Sequence, residues 1–354
     1  MNKYVKRYLI DAMSGMAQGL FASLLTGTII KTIGQQLLRL NQNVFFQFFV
    51  DAGNFATEAH VVGAAMAIGI GFAMQVPALV LFSLAAIGAA ANVTGGAGGP
   101  LAVLVIAIIA AELGRLVSKK TKVDILVTPL VTILSGALLT VLTAKYIGIA
   151  ASWVGNLIMW ATNLHPFIMG MIVSAVVGIA LTLPISSAAI CAALGLTGLA
   201  GGAAVAGCCA QMVGFAVLSF KENKFGGLVS QGLGTSMLQM PNIIKNPKIW
   251  IPAILTSIIT GPIATCIFKM EMNGAAVSSG MGTCGLVGQI GVISGWYSPS
   301  EAAITNGAAA INPGVMDWVG LLLVCFVLPA VLCWLFGMLF RKIGWIKDGD
   351  LALN

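Results

Sequence analysis

Neutral polar side chains in uncharged stretches are the residues of this chain best suited to chemistry. The segment 231–242 contains Thr235, Ser236, Gln239 and Asn242 and no charged side chain. Hydroxyl and amide groups both donate and accept hydrogen bonds, so they suit an uncharged, hydroxyl-rich ligand. A surface loop of this length normally carries charge. We expect the segment to line a ligand site; the alternative is a buried structural loop.

A second pair of hydroxyl groups, Ser186 and Ser187, follows Pro184 in an apolar stretch. Proline frees backbone carbonyl groups in a membrane helix, and nearby hydroxyls can satisfy them. The alternative is that unwound backbone and hydroxyls together bind a polar ligand, as in the broken helices of transporters. Thr283 and Gln289 lie in a glycine-rich stretch and form a similar case.

Two titratable residues, Glu58 and His60, stand at the start of the uncharged run Ala59–Ala111. A carboxylate or imidazole inside a membrane suggests function because its burial is costly, whereas at the interface it costs little. We keep both as possible coupling groups or ligand contacts. The seven cysteines lack CxxC spacing and share no metal motif with the two histidines. We therefore predict no catalytic residue, no metal site and no cofactor.

The elements that hold these residues are predicted from hydropathy. Apolar residues make up 58% of the chain and charged residues 8%, and a second uncharged run covers Tyr146–Phe220. About 20 apolar residues cross a bilayer as a helix, so the chain is predicted to be an all-α polytopic membrane protein with about 8–10 transmembrane helices and two re-entrant hairpins. The net charge of +7 comes from basic residues between apolar runs, which indicates inner-face loops rather than a nucleic-acid surface.

We expect a single transmembrane domain over residues 1–345, with a first half at about 10–145 and a second half at about 146–340. The second half contains the predicted re-entrant elements 226–244 and 274–296, and a cytoplasmic tail covers 346–354. Pro77 is predicted to break the apolar stretch 60–92, and a span at 124–143 is predicted to end near Lys145. Basic residues near both ends, Lys3 among them, place both termini on the cytoplasmic side.

Several short motifs carry a family resemblance: the glycine-rich turn 94–100, Thr128-Pro129, the segment 183–189 (LPISSAA) and the segment 234–242. Over about residues 10–340 the chain resembles the membrane component IIC (EIIC) of bacterial phosphotransferase systems, nearest the fructose-type branch. The last two motifs are similar to the IIC-like branch that includes perfringolysin regulator proteins.

The resemblance implies a homodimer in the bacterial cytoplasmic membrane, with a scaffold part and a mobile part that carries sugar across the bilayer. It also implies a partner domain, EIIB, that passes phosphate to the sugar. This sequence shows no attached IIA or IIB module, so coupling to phosphorylation stays open and would require a separate EIIB protein. The segments 184–189 and 235–242 contain no acidic residue to orient a sugar hydroxyl for attack.

Three hypotheses follow. The first is an EIIC-type permease for a sugar or similar neutral solute, with Ser186, Ser187, Thr235, Ser236 and four further residues lining the site. Those four are Gln239, Asn242, Thr283 and Gln289. The second is a membrane sensor or regulator that binds a solute but moves little. The third is an ion-coupled carrier independent of phosphotransfer, with Glu58, His60 or Glu271 as the coupling group.

Overall fold

The computed structural model describes residues 4, 6–40 and 43–353, and over these residues the secondary structure is helical apart from one isolated β-bridge between Gly198 and Met272. The predicted all-α class is confirmed. Lys3, one of the basic residues used to orient the N-terminus, lies outside the described residues.

We number the helices in chain order. In the first part of the chain they are α1 Lys6–Leu38, α2 Val44–Thr57, α3 Ala59–Ala73, α4 Ala78–Gly95, α5 Gly99–Val117 and α6 Asp124–Thr162. In the second part they are α7 Pro166–Thr182, α8 Ser187–Ala193, α9 Gly198–Leu218, α10 Phe220–Val229, α11 Met240–Lys245, α12 Pro247–Ile267, α13 Val287–Tyr297, α14 Glu301–Thr305 and α15 Val315–Lys342.

Six helical segments of the described chain are long and apolar enough to cross a membrane: α1, the stretch from α4 to α5, α6, α9, α12 and α15. The pair α2 and α3 passes the same test together but is bent by 56° at Glu58. The shorter apolar helix α7 follows α6. The chain is therefore a multi-pass membrane protein.

The chain divides into two compact units, Met1–Ala151 and Ser152–Asn354. In the first unit, glycines bring α1, α3 and α4 into close contact. A Cβ at Gly19 would strike the carbonyl of Ala65, and one at Gly63 would strike the carbonyl of Gly88. Lipid supplies no hydrophobic drive for helix association, so close packing of small residues is what holds these helices together.

Two predictions about helix ends have different outcomes. The break expected at Pro77 is confirmed, because α3 ends at Ala73 and Pro77 caps the start of α4. The end expected near Lys145 is wrong, since α6 continues to Thr162 through a π-helical turn, Thr140–Ala144. No proline or glycine lies between 137 and 147, and the exposed Lys145 side chain is accommodated on the helix surface.

The second unit is built around α9, which packs against α7, α12 and α15. The contacts again depend on small residues. A Cβ at Gly207 of α9 would strike the carbonyl of Ser174 in α7, and one at Gly261 of α12 would strike the carbonyl of Gly170. The Ser174 hydroxyl donates to the Ser257 carbonyl across 2.7 Å, so a buried hydrogen bond joins α7 to α12 at the same level.

Candidate functional site

Two helix breaks in the second unit hold the predicted site residues. The first break, residues 183–186, follows α7, where Leu183 adopts an extended conformation before Pro184. Proline disfavours helical backbone at the residue before it. The short helix α8 follows, and a turn with Gly195 at φ +58° and Gly198 at φ +65° leads into α9.

The second break lies between α12 and α13. After α12 the chain extends through Met272, which pairs with Gly198 at the start of α9. Two short 3₁₀ turns follow, Ala276–Gly280 and Cys284–Leu286. Gly282 and Gly285 have φ of +53° and +51°, a region that favours glycine. The predicted re-entrant element 274–296 is thus irregular up to Leu286 and helical from Val287.

The two breaks are tied together by hydroxyl groups. Ser187 Oγ donates to the Gly280 carbonyl across 2.7 Å, and Ser279 Oγ donates to the Leu196 carbonyl across 2.7 Å. Ser187 and Ser279 are buried. Irregular backbone at membrane depth persists only where protein or a wet cavity covers it. We call this crossing of residues 183–187 and 278–286 the break crossing.

A buried polar network joins the break crossing to neighbouring helices. Thr182 Oγ1 lies 2.7 Å from Ser236 Oγ and donates to Gln211 Oε1 across 3.2 Å. The Gln211 amide donates to Ser257 Oγ across 3.2 Å, and the Trp250 indole N–H donates to Gln211 Oε1 across 2.8 Å. Thr182, Ser236, Gln211 and Ser257 are all 0% exposed. The network links α7, α9, α12 and the segment after α10.

Gln211 was not among the predicted site residues, although it occupies the centre of this network. Its signal in the sequence is that it is the single glutamine in the uncharged run Tyr146–Phe220. A primary amide presents two donors and an acceptor, and burial makes each unsatisfied group costly. Such a residue in a membrane helix therefore requires several partners, which α7 and α12 supply here.

Thr283 and Gln289 face α9 and the segment after α10. Thr283 Oγ1 donates to the Gly232 carbonyl, and Thr283 is 0% exposed. Gln289 is 5% exposed, and its amide donates to Cys209 Sγ across 3.2 Å. Within the described residues Gln289 Oε1 has no hydrogen-bond partner. It is an acceptor without a donor beside the break crossing.

The other predicted hydroxyls act as local caps. Ser186 Oγ accepts from the Ala189 N–H at the start of α8, and Thr235 Oγ1 accepts from the Met237 N–H. Ser186 is half-buried and Thr235 is 3% exposed. Both belong to the same region as Ser187 and Ser236. The structure therefore brings six of the predicted residues to the break crossing or its border: Ser186, Ser187, Thr235, Ser236, Thr283 and Gln289.

Gln239 and Asn242 form a separate amide cluster with Gln231. Gln239 donates to Gln231 Oε1 and to the Leu351 carbonyl, each across 2.9 Å. Asn242 donates to Gln239 Oε1 across 2.9 Å and to the Ala352 carbonyl across 2.8 Å. These side chains hold the C-terminal segment in place. The predicted re-entrant element 226–244 begins inside α10 and ends inside α11.

Glu58 and His60 lie in the first unit, at the bend between α2 and α3. Glu58 Oε1 lies 3.1 Å from His60 Nδ1, and the two side chains are 58% and 62% exposed. The pair therefore lies on the surface of the first unit. No buried carboxylate or imidazole results from this arrangement.

Glu271 lies beside a small cavity of about 70 Å³ in the second unit. Its Oε2 accepts from the Asn273 amide across 2.8 Å, and Asn273 Oδ1 accepts from the Gly198 N–H across 3.1 Å. Trp296 and Asp317 also line the cavity. A cavity of this size accommodates a few water molecules. The second break thus has a buried polar side chain, Asn273, next to an exposed one, Glu271.

A family model described as "Phosphotransferase system, EIIC" matches residues 10–353. The chain belongs to the phosphotransferase system EIIC family. This EIIC chain is accordingly the membrane component of a phosphotransferase-type permease. No curated protein and no solved structure matches it.

The neutral side chains at the break crossing of the EIIC chain are suited to hydrogen bonding with an uncharged ligand. Ser187, Ser236, Thr283, Gln211 and Gln289 offer neutral donors and acceptors, and no nucleophile–base pair stands among them. Such groups exchange hydrogen bonds with a hydroxylated solute without requiring a compensating charge.

Proposed function

We propose that this EIIC chain carries a sugar or similar neutral polar solute across the bacterial cytoplasmic membrane, with the solute bound at the break crossing. The observation that supports it is the meeting of two broken helical elements in a buried region whose side chains are polar but uncharged. Discontinuous helices at the membrane midplane form the substrate sites of many transporters because their unwound backbone groups can bind the substrate.

The proposed solute contacts are Ser186, Ser187, Thr235, Ser236, Thr283 and Gln289, together with Gln211. The free acceptor Gln289 Oε1 is a group that a solute hydroxyl would satisfy. Gln239 and Asn242 are proposed to contact the solute in a second conformation of the protein. In that conformation their hydrogen bonds to the Leu351 and Ala352 carbonyls are broken.

Phosphorylation is proposed to require a separate EIIB protein, and the working assembly is proposed to be a homodimer. We also propose membership of the branch that resembles fructose-type and perfringolysin-regulator proteins. We propose that both termini lie on the cytoplasmic side. Basic side chains at one end of the second unit support this orientation, namely Lys221, Lys224, Arg341, Lys342 and Lys347.

The test is a thermal-shift screen of the detergent-purified protein against sugars and polyols, followed by uptake into proteoliposomes. A bound solute raises the apparent melting temperature by mass action. We expect Ser187→Ala to weaken binding of that solute about fivefold, the equivalent of roughly one neutral hydrogen bond. Ser83→Ala is the matched control, because within the described residues the Ser83 hydroxyl bonds to the Leu79 carbonyl of its own helix and to no other element.

The proposal fails if no uncharged solute shifts the melting temperature and none is taken up. If a sugar binds but is not taken up, the sensor alternative replaces transport. Uptake with and without a purified, phosphorylated EIIB protein, with the internal sugar analysed for phosphate, then determines whether transport is coupled to phosphorylation.

An ion-coupled carrier is the second candidate, and the cavity beside Glu271 favours it. Glu271 is an ionisable group next to the second break, held by Asn273. If Glu271 couples transport to a cation, Glu271→Gln should abolish uptake driven by an ion gradient and leave solute binding intact. Uptake that persists after an ionophore collapses the gradient rules this candidate out.

A further inference from the structure

An open groove of about 520 Å³ lies in the second unit between the end of α9, the start of α10 and the last turns of α15. Its wall is mainly apolar and includes Leu218, Trp334 and Met338. Trp334 and Met338 are 51% and 42% exposed. The absence of a side chain at Gly337 matters here, because a Cβ there would strike Leu218 Cδ1.

The groove has two cations among its lining residues, Lys221 and Arg341. Both contact a single carboxylate of the C-terminal segment. Lys221 Nζ lies 2.8 Å from Asp348 Oδ1, and Arg341 Nη1 lies 3.2 Å from the same oxygen. The arrangement shows that one anionic oxygen fits between the two cations.

The two cations differ in how firmly they are held. Arg341 Nη2 also pairs with Glu222 Oε1 across 2.8 Å, and the Glu222 side chain is 7% exposed. Lys221 and Asp348 are 65% and 73% exposed, respectively, and Lys221 has Asp348 as its ion-pair partner. An exposed ion pair of this kind is weak, so another anion can replace the carboxylate.

We infer that this groove binds an anionic phospholipid, with the phosphate between Lys221 and Arg341 in place of Asp348 and the acyl chains along Leu218, Trp334 and Met338. The anionic end and apolar body of a phospholipid match the cationic end and the apolar wall of the groove. Charge-assisted bonds from lysine and arginine to phosphate are among the stronger hydrogen bonds in proteins. Basic pockets between membrane helices are recognised lipid headgroup sites.

Competition with Asp348 makes the inference specific. A variant that removes the cation and a variant that removes the competing carboxylate should change lipid affinity in opposite directions. A groove that merely accommodates bulk lipid through apolar contact would respond to neither charge.

The experiment is native mass spectrometry of the full chain in detergent, titrated with dioleoyl phosphatidylglycerol or dioleoyl phosphatidylcholine. The variants are Lys221→Gln and Asp348→Asn, with Lys342→Gln as the matched control. Lys342 is the exposed residue next to Arg341 and does not line the groove. Arg341 is left unchanged because its loss would leave Glu222 without its ion-pair partner.

We expect phosphatidylglycerol to bind more tightly than phosphatidylcholine. Lys221→Gln should weaken the binding of phosphatidylglycerol about fivefold, and Asp348→Asn should strengthen it by a similar factor. Lys342→Gln should leave the affinity for phosphatidylglycerol unchanged. Glycerol 1-phosphate, which has the phosphate but no acyl chain, should bind far more weakly. Equal binding of the two lipids, an unchanged affinity in Lys221→Gln, or equal binding of glycerol 1-phosphate would overturn the inference.

Discussion

Buried hydroxyl groups in the two units have different partners. In the first unit four of them bond to carbonyls one turn back in their own helices, Ser23 to Gly19, Ser83 to Leu79, Thr132 to Thr128 and Thr140 to Gly136, and Thr128 bonds to the Asp124 carboxylate of its own helix. In the second unit some do the same, such as Thr256, but many bond across elements. Those cross-element donors include Ser174, Ser187, Ser279 and Thr283.

The difference shows that buried hydroxyl groups have two structural roles in this protein. A hydroxyl that bonds to its own helix is satisfied whatever its neighbours do. A hydroxyl that bonds to the carbonyl of an irregular segment fixes that segment's position and satisfies a backbone group that lipid cannot. We therefore expect the first unit to tolerate the loss of a hydroxyl group, and the second unit to need its hydroxyl groups to maintain the break crossing.

The largest expected effect tests whether close helix contact supports the second unit. Gly207→Ala places a Cβ against the Ser174 carbonyl, so α7 and α9 must move apart. We expect a loss of about 3 kcal/mol in the free energy of unfolding. Gly226→Ala is the control, because nothing lies within 4 Å of a Cβ there. Equal melting temperatures for the two variants would contradict the prediction.

The next effect tests the comparison directly. Gln211→Leu keeps the side-chain size but removes the partner of Trp250, Thr182 and Ser257, and we expect a loss of about 2 kcal/mol. Ser83→Ala in the first unit removes a bond within one helix and should cost about 0.5 kcal/mol or less. Unfolding in increasing denaturant measures both. A larger loss for Ser83→Ala would remove the distinction between the units.

The smallest effect concerns the C-terminal segment. The hydrogen bond and charge of Lys221, with a further contribution from Arg341, lower the pKa of Asp348. A carboxyl with a lowered pKa stabilises the folded state above its unfolded pKa, about 3.9, and this contribution is lost as pH falls through the folded pKa. The wild type should therefore melt slightly higher than Asp348→Asn at pH 7, and the difference should vanish in acid.

The Asp348 measurement needs lipid-free detergent, since a bound anionic lipid would displace the carboxylate. In the Lys221→Gln background, most of the difference between Asp and Asn at position 348 should disappear at pH 7. A difference that persists there would assign the effect to Arg341 rather than Lys221.

Hydropathy and backbone chemistry predicted much of this architecture. Pro77 precedes the start of α4 and Pro184 opens the first break, because each lacks an N–H and restricts the residue before it. The uncharged polar residues at 186–187, 235–236, 283 and 289 were predicted to line a ligand site. The structure brings them to the break crossing or its border, and their binding of a ligand stays a prediction. The helix end predicted near Lys145 was wrong, because one exposed cation does not interrupt the hydrogen bonds of a helix.

The sequence by itself determined the class of the protein, a multi-pass helical membrane chain, because the cost of burying charge or unpaired backbone in lipid leaves few alternatives. Only the tertiary structure decided which polar groups meet. Gln239 and Asn242 are as neutral and polar as Ser187, yet they bind the carbonyls of Leu351 and Ala352, more than 100 positions along the chain. A side chain's hydrogen-bonding capacity is local, but its partner depends on how distant segments pack.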